Sequence, residues 1–185
     1  ALINWLPRPL SSYIFPPSFF CREKEQQAHL DLTQTNVAQP ALAVVSLGGL
    51  ELLKKFGIHP NMVAGHSSGE YTALCAAGVI SEHTLYNLTA ARGSCIQDMS
   101  SNDPGGMLAI KDTREKVEEL IESIDQAWVA NLNSPEQTIV SGTKEAVAEL
   151  HKTCKQCKIQ SVPLPVSNAF HSPLIAKAKE SFKDY

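Results

Sequence analysis

Apolar positions recur along the chain in two rhythms, one helical and one alternating. Leu42, Val45, Leu50 and Leu53 follow Pro40 at spacings that suit one face of a helix. Proline fits a first helical position, where its missing N–H costs nothing, and Gly57 suits the C-terminal cap. The spacing therefore predicts a helix from near Pro40 to Gly57. After the His59-Pro60-Asn61 turn, Met62-Val63-Ala64 is a short apolar run of the kind found in a buried parallel strand. A glycine turn, Gly65-His66-Ser67-Ser68-Gly69, leads into a helix ended by Gly78. Ser81 caps another, with Leu85, Leu88, Cys95 and Met99 at helical intervals. Asn102-Asp103-Pro104-Gly105-Gly106 is a break. Upstream, Pro7, Pro9, Pro16 and Pro17 predict loops and short turns through residue 34, with Phe15, Phe19 and Phe20 packed and Cys21–Glu25 solvated.

Beyond the break the rhythm changes. Met107–Ile110 reads as a strand. Asp112 or Thr113 caps a helix with Val117, Leu120, Ile121 and Ile124 inward. Trp128–Leu132 and Gln137–Ser141 read as strands joined by the Asn133–Glu136 turn. Thr143 caps a helix that turns Val147, Leu150 and Cys154 inward, and Ile159–Leu164 is a last strand. That β-α-β-β-α-β order is the ferredoxin-like unit. The predicted class is α/β: a parallel-sheet core from residues 1–104 and 165–185, with a ferredoxin-like subdomain inserted at 105–164. Residues 167–173 form a loop and Leu174 onward a helix.

Composition narrows the function classes. Of 185 residues, 43% are hydrophobic and 19% charged, which suits a packed core rather than a disordered chain. A net charge of -3 argues against nucleic acid as a partner. The Ala41–Leu53 run, interrupted by Glu51, is short for a membrane span. No basic segment followed by an apolar stretch opens the chain. Five scattered cysteines fit a reducing, cytoplasmic compartment. In Cys154-Lys155-Gln156-Cys157 only His151 is near as a further ligand, so the cysteines are expected to be structural or incidental and no metal is expected.

Candidate chemistry centres on Gly65-His66-Ser67-Ser68-Gly69, which fits G-x-S-x-G. A nucleophilic serine here must sit on a sharp strand-to-helix turn, so small residues flank it two positions away on each side. The helix that follows aims its first N–H groups and positive dipole end at the reacting centre. The Ser68 backbone N–H is then a natural oxyanion donor. Ser68 is the competing hydroxyl but points elsewhere. The nucleophile needs a base. His29, His59, His83 and His151 read as surface residues, and His66 is directed away from Ser67. His171 lies in a small-residue loop after a strand, where α/β active-site groups collect.

The ordered segments Gln39-Pro40-Ala41-Leu42, Gly65–Tyr71, Ala76–Ser81, Arg92-Gly93, Asn131–Gln137, Ser141-Gly142 and Pro165–Ser172 together resemble the malonyl-CoA:acyl-carrier-protein acyltransferase family. Acyltransferase domains of polyketide and polyunsaturated-fatty-acid synthases are its nearest members. The resemblance implies a hydrolase-like core and a malonyl group moved from coenzyme A to the phosphopantetheine thiol of an acyl carrier protein. It implies Ser67 as acyl acceptor and His171 as general base. Arg92 would bind the free carboxylate, and Phe170 would line the α-carbon. Gln39, His66 and Asn133 would lie around the substrate. Asn168-Ala169-Phe170-His171 resembles the malonyl-selective version of its loop, with Asn in place of the first His. No bound cofactor is implied; coenzyme A thioester is the substrate, and flanking synthase domains are further potential partners. The family's leading Gly-Gln-Gly segment and its later strands and helices have no counterpart, so the chain is expected to be the middle of a domain truncated at both ends.

Two rivals are expected to differ in outcome. A serine esterase or thioesterase would need an acid such as Asp112 or Asp125 and would pass its acyl group to water. The other is an inactive truncated docking or linker piece of a synthase, which the missing leading segment favours.

Overall fold

The computed structural model describes residues 6–99 and 104–183. Asn102 and Asp103 of the expected break, and the Met99 side chain, lie outside the described residues. The chain divides into two compact units, Ala1–Gln97 with Tyr185, and Asp98–Asp184. Residues 165–183 therefore group with the sheet, whereas the sequence suggests grouping them with the first hundred residues.

The first unit is helical: α1 Leu10–Ile14, α2 Arg22–Thr33, α3 Thr35–Lys55, α4 Gly69–Ala76 and α5 Glu82–Met99. Helix α2 replaces the expected loops, and Phe15 and Phe20 are exposed rather than packed. Helix α3 begins at Thr35, so Pro40 lies inside it. At the sixth position proline lies past the first turn, so it removes the ladder bond to Asn36 O, a local cost within this 21-residue helix. Gly57 (φ 76°) ends α3, with Gly57 N–H bonded to Lys54 O and Ile58 N–H to Leu53 O. Gly78 (φ 77°) does the same for α4, and Ser81 Oγ accepts from Thr84 N–H at the start of α5.

The buried face of α3 is not the one the Leu/Val spacing suggests. Leu42, Val45 and Leu53 are exposed, while Thr35, Val37, Gln39, Ala43 and Leu47 are buried. Ala43, Leu47 and Leu85 form the local core, with Tyr71, Cys75 and Tyr86 packed against it. By length and composition alone α3 could cross a membrane, since its best 18-residue window has a mean hydropathy of 1.3. Its buried Thr35 and Gln39 side chains are hydrogen-bonded to each other, and Gln39 also accepts from Arg92.

Met62-Val63-Ala64 forms no strand, and Met62 is 90% exposed. The expected parallel sheet is absent among the described residues: the described strands form one antiparallel sheet, all in the second unit. A strand needs a neighbour to satisfy its N–H and C=O groups, and the described residues offer 62–64 none.

The second unit follows the predicted order: β1 Gly106–Ile110, α6 Arg114–Ile121, β2 Ala127–Ser134, β3 Gln137–Gly142, α7 Lys144–Gln156 and β4 Ser161–Pro163. The sheet order is β2-β3-β1-β4, antiparallel throughout, with Gly106 opposite Gly142 and Ile110 opposite Thr138. Thr113 and Thr143 accept from Lys116 and Ala146 N–H, as N-caps should. Leu108, Ile110, Val140, Val117, Val147, Leu150 and Cys154 close a core between the sheet and its two helices. A short 3₁₀ helix, Pro173–Ile175, and α8 Ala178–Phe182 end the unit.

Candidate active site

The candidate residues fall into two groups, one in each unit. In the first, residues 65–69 form a tight turn into α4, with Gly69 N–H donating to His66 O and Glu70 N–H to Ser67 O. Ser67 takes the left-handed backbone region (φ 55°), which costs an ordinary residue roughly 1–2 kcal/mol. Gly65 is required by this fold-back: a Cβ there would lie 2.1 Å from Gly69 O. At Gly69 a Cβ would meet nothing within 4 Å, so the tight constraint operates on one side of Ser67 only. Ser68 is the N-cap residue of α4 and caps nothing with its side chain. Ser67 and Ser68 are half-buried, and His66 is exposed.

Arg92, on α5, is partly buried and donates from Nη1 to Gln39 Oε1 at 2.7 Å. Loss of water around the guanidinium pulls its pKa down from the ordinary value, opposed by the charge fields of Tyr71 and Glu70. Those two residues open α4 immediately after the elbow. The structure thus brings Arg92, Gln39 and the start of the elbow helix into one neighbourhood. The sequence suggests Gln39 as a residue around the substrate; its observed partners are Arg92 and Thr35.

In the second unit, the loop after β4 is tied down by its own backbone. Ala169 N–H donates to Pro104 O at 2.7 Å, Ser141 Oγ–H to Phe170 O, and Ser172 Oγ–H to Ala169 O at 2.7 Å. Asn168 and Ala169 are buried, Phe170 is half-buried and His171 is exposed. Gly105 serves the same anchorage: a Cβ there would lie 2.4 Å from Gly142 O and 2.6 Å from the Ala169 Cβ. His171 also takes a left-handed backbone (φ 58°). Both the candidate nucleophile and the candidate base therefore sit at strained positions, a property often concentrated at functional sites. The residue pattern around His171 carries no sign of that strain.

Asn133 lies elsewhere. It donates from Nδ2 to Gln137 Oε1 at the β2–β3 turn, the Ile110/Thr138 end of the sheet. The histidine loop leaves from the opposite end, beside Gly105 and Ser141, so the structure does not bring Asn133 to His171. Asp112 is also at the Thr138 end, where its main-chain O accepts from Thr138 Oγ. Asp125 is exposed and its carboxylate accepts from Gln126 N–H. Cys154 is fully buried, and burial pushes its thiol pKa up, whereas Cys157 is exposed. No cluster of three or more metal-ligating side chains occurs among the described residues. A wide depression between α1 and α2, lined by Tyr13, Phe19, Arg22 and His29, contains none of the candidate residues.

Residues 23–184 match the family described as acyl transferase domain. The chain belongs to that family. It is 36% identical over 160 residues to the malonyl CoA-acyl carrier protein transacylase of Bacillus subtilis, covering 83% of this chain and 50% of that one. It is 34% identical over 178 residues to a polyunsaturated fatty acid synthase chain of Thraustochytrium, covering 95% of this chain and 6% of that one. The solved structure of a malonyl CoA-acyl carrier protein transacylase from Burkholderia pseudomallei superposes with a TM-score of 0.82 at 27% identity, covering 99% of this chain and 60% of its own. The chain thus spans half the length of the Bacillus relative and a small part of the synthase.

Proposed function

We propose that this acyl transferase family member carries the central part of a site that moves a malonyl group from coenzyme A to the phosphopantetheine thiol of an acyl carrier protein. The supporting observation is Arg92: a part-buried guanidinium beside the elbow helix whose observed acceptor is a neutral amide. Arginine stays protonated at neutral pH, so its charge is left to pair with an anionic ligand group. A carboxylate matches its two-pronged donor geometry. The names of two of the relatives, which are transacylases of malonyl groups, point the same way.

The proposed chemistry has two balanced halves. Ser67 Oγ attacks the thioester carbonyl while His171 takes its proton. The Ser68 N–H, at the positive end of α4, steadies the oxyanion. The intermediate collapses, the C–S bond breaks, and His171 returns the proton to the departing coenzyme A thiolate. In the second half the carrier's pantetheine thiol gives its proton to His171 and attacks the seryl ester, and Ser67 recovers its proton. Phe170 lines the pocket beside the α-carbon. The scheme requires the imidazole of the second unit to reach Ser67 Oγ, and it uses no bound cofactor. The elbow unit and the unit that carries the ferredoxin-like subdomain and the histidine loop would act as one domain, in the cytoplasm, alone or beside other synthase domains.

The test is acyl-enzyme formation from malonyl-CoA and acetyl-CoA in the full-length protein, wild type against Arg92→Ala. An unpaired carboxylate in a dry site is expensive, so malonyl loading should fall about 100–1,000-fold while acetyl loading falls far less. Equal losses on both substrates would make Arg92 structural and remove the support for malonyl.

A further inference from the structure

The neutral partner of Arg92 is itself held in place. Helices α3 and α5 touch backbone to backbone at Gly93, where a Cβ would lie 2.6 Å from Asn36 Cα and 2.7 Å from Thr35 O. That close approach seats Arg92 against the first two turns of α3. Gln39, one turn beyond Thr35, accepts from Arg92 Nη1 at 2.7 Å and donates from Nε2 to Thr35 Oγ1 at 2.7 Å. Thr35 is 2% exposed and Gln39 6%. A buried amide has one good orientation here. Turned over, it would set its NH₂ against the guanidinium, donor against donor. The donor-only guanidinium therefore sets which way the amide faces, and the Thr35 hydroxyl ties down its other end. Among the described residues Arg92 joins none of the ion pairs within 4 Å.

We propose that Gln39 is a positioning residue that sets acyl-group specificity: it holds the Arg92 guanidinium in place without neutralising it, with Thr35 as the brace that tethers the far end of the amide. The proposal rests on the reading of Arg92 as the carboxylate partner. A glutamate at position 39 would hold the guanidinium as well as glutamine does but would satisfy its charge internally. The site would then be formed yet blind to a substrate carboxylate. An apolar side chain of similar length would leave the charge and release the geometry.

The experiment measures the initial rate and substrate dependence of acyl-enzyme formation from malonyl-CoA and acetyl-CoA. It uses the full-length protein with Gln39→Glu, Gln39→Met, Thr35→Val, Arg92→Ala and the double variant Gln39→Glu/Arg92→Ala. Gln39→Glu should lower the malonyl-to-acetyl ratio about 100-fold, matching Arg92→Ala, because each removes the available cation. Gln39→Met should raise the malonyl KM about tenfold, and Thr35→Val by less, the scale of one or two lost hydrogen bonds. In the double variant Gln39→Glu should change the ratio no further, since its effect passes through Arg92. If Gln39→Glu does not fold, Gln39→Met and Thr35→Val carry the test: a raised malonyl KM with little change for acetyl supports the proposal, and proportional losses on both substrates overturn it. If Arg92→Ala reverses preference but Gln39→Glu keeps the malonyl ratio of wild type, the role of Gln39 is wrong and the reading of Arg92 stands. If Arg92→Ala leaves the ratio unchanged, both fall.

Discussion

The two units bury their apolar residues to very different degrees. In the second, Leu108, Ile110, Val117, Val140 and Leu150 are all fully buried between the sheet and its helices. In the first, Leu42, Val45, Phe56, Met62 and Val79 are each more than half exposed, and the segment expected to be a strand pairs with nothing described. The difference follows from topology. A ferredoxin-like unit makes its sheet from hairpins and short crossovers, so it supplies every strand partner from within itself. A parallel strand needs neighbours brought from far along a chain. The elbow at 65–69 keeps its turn regardless, because that turn is built from local bonds and from Gly65.

Each unit also carries one half of the proposed chemistry, and separating the halves gives the largest expected effect. His171→Ala should lower transfer to a carrier thiol by about 10²–10⁴-fold, the usual size of general-base catalysis. Steady-state transfer in the full-length protein checks this. Equal losses in His66→Ala and His171→Ala, both folded, would contradict the assignment.

The packing contrast yields the next two. Leu150→Ala, at a fully buried site, should destabilise the second unit by about 2–5 kcal/mol in denaturant titration. Val45→Ser, on the open face of α3, should change the stability of this chain by no more than about 0.5 kcal/mol. The same substitution in a longer chain that covers this face should cost more. A large loss already in this chain would mean that the face is covered by a contact within it.

The second unit is the more legible in the sequence, for the same physical reason. Its signals are local: Thr113 and Thr143 as caps, and the Val117–Ile124 stripe. The α3 face is easily misread because Leu and Val dominate the apolar pattern. The face that packs within the unit carries Thr35, Gln39 and Ala43, small or polar residues that let α5 approach at Gly93. The Gln39–Arg92 bond spans 53 positions and has no sequence signature. Ser67 is legible because its turn obeys a short pattern. His171 is marked by little more than its loop after a strand, and the family resemblance is what separates it from the other histidines. The strain at both residues is visible only in the backbone.

The central claim is tested most directly by incubating the full-length protein with isotopically labelled malonyl-CoA, quenching in acid, and locating the adduct by peptide mass spectrometry. A single malonyl ester on Ser67 is expected, absent in Ser67→Ala and released by a pantetheine thiol faster than by water. An adduct on Ser68 or a cysteine, or release chiefly to water, would contradict the proposed transfer.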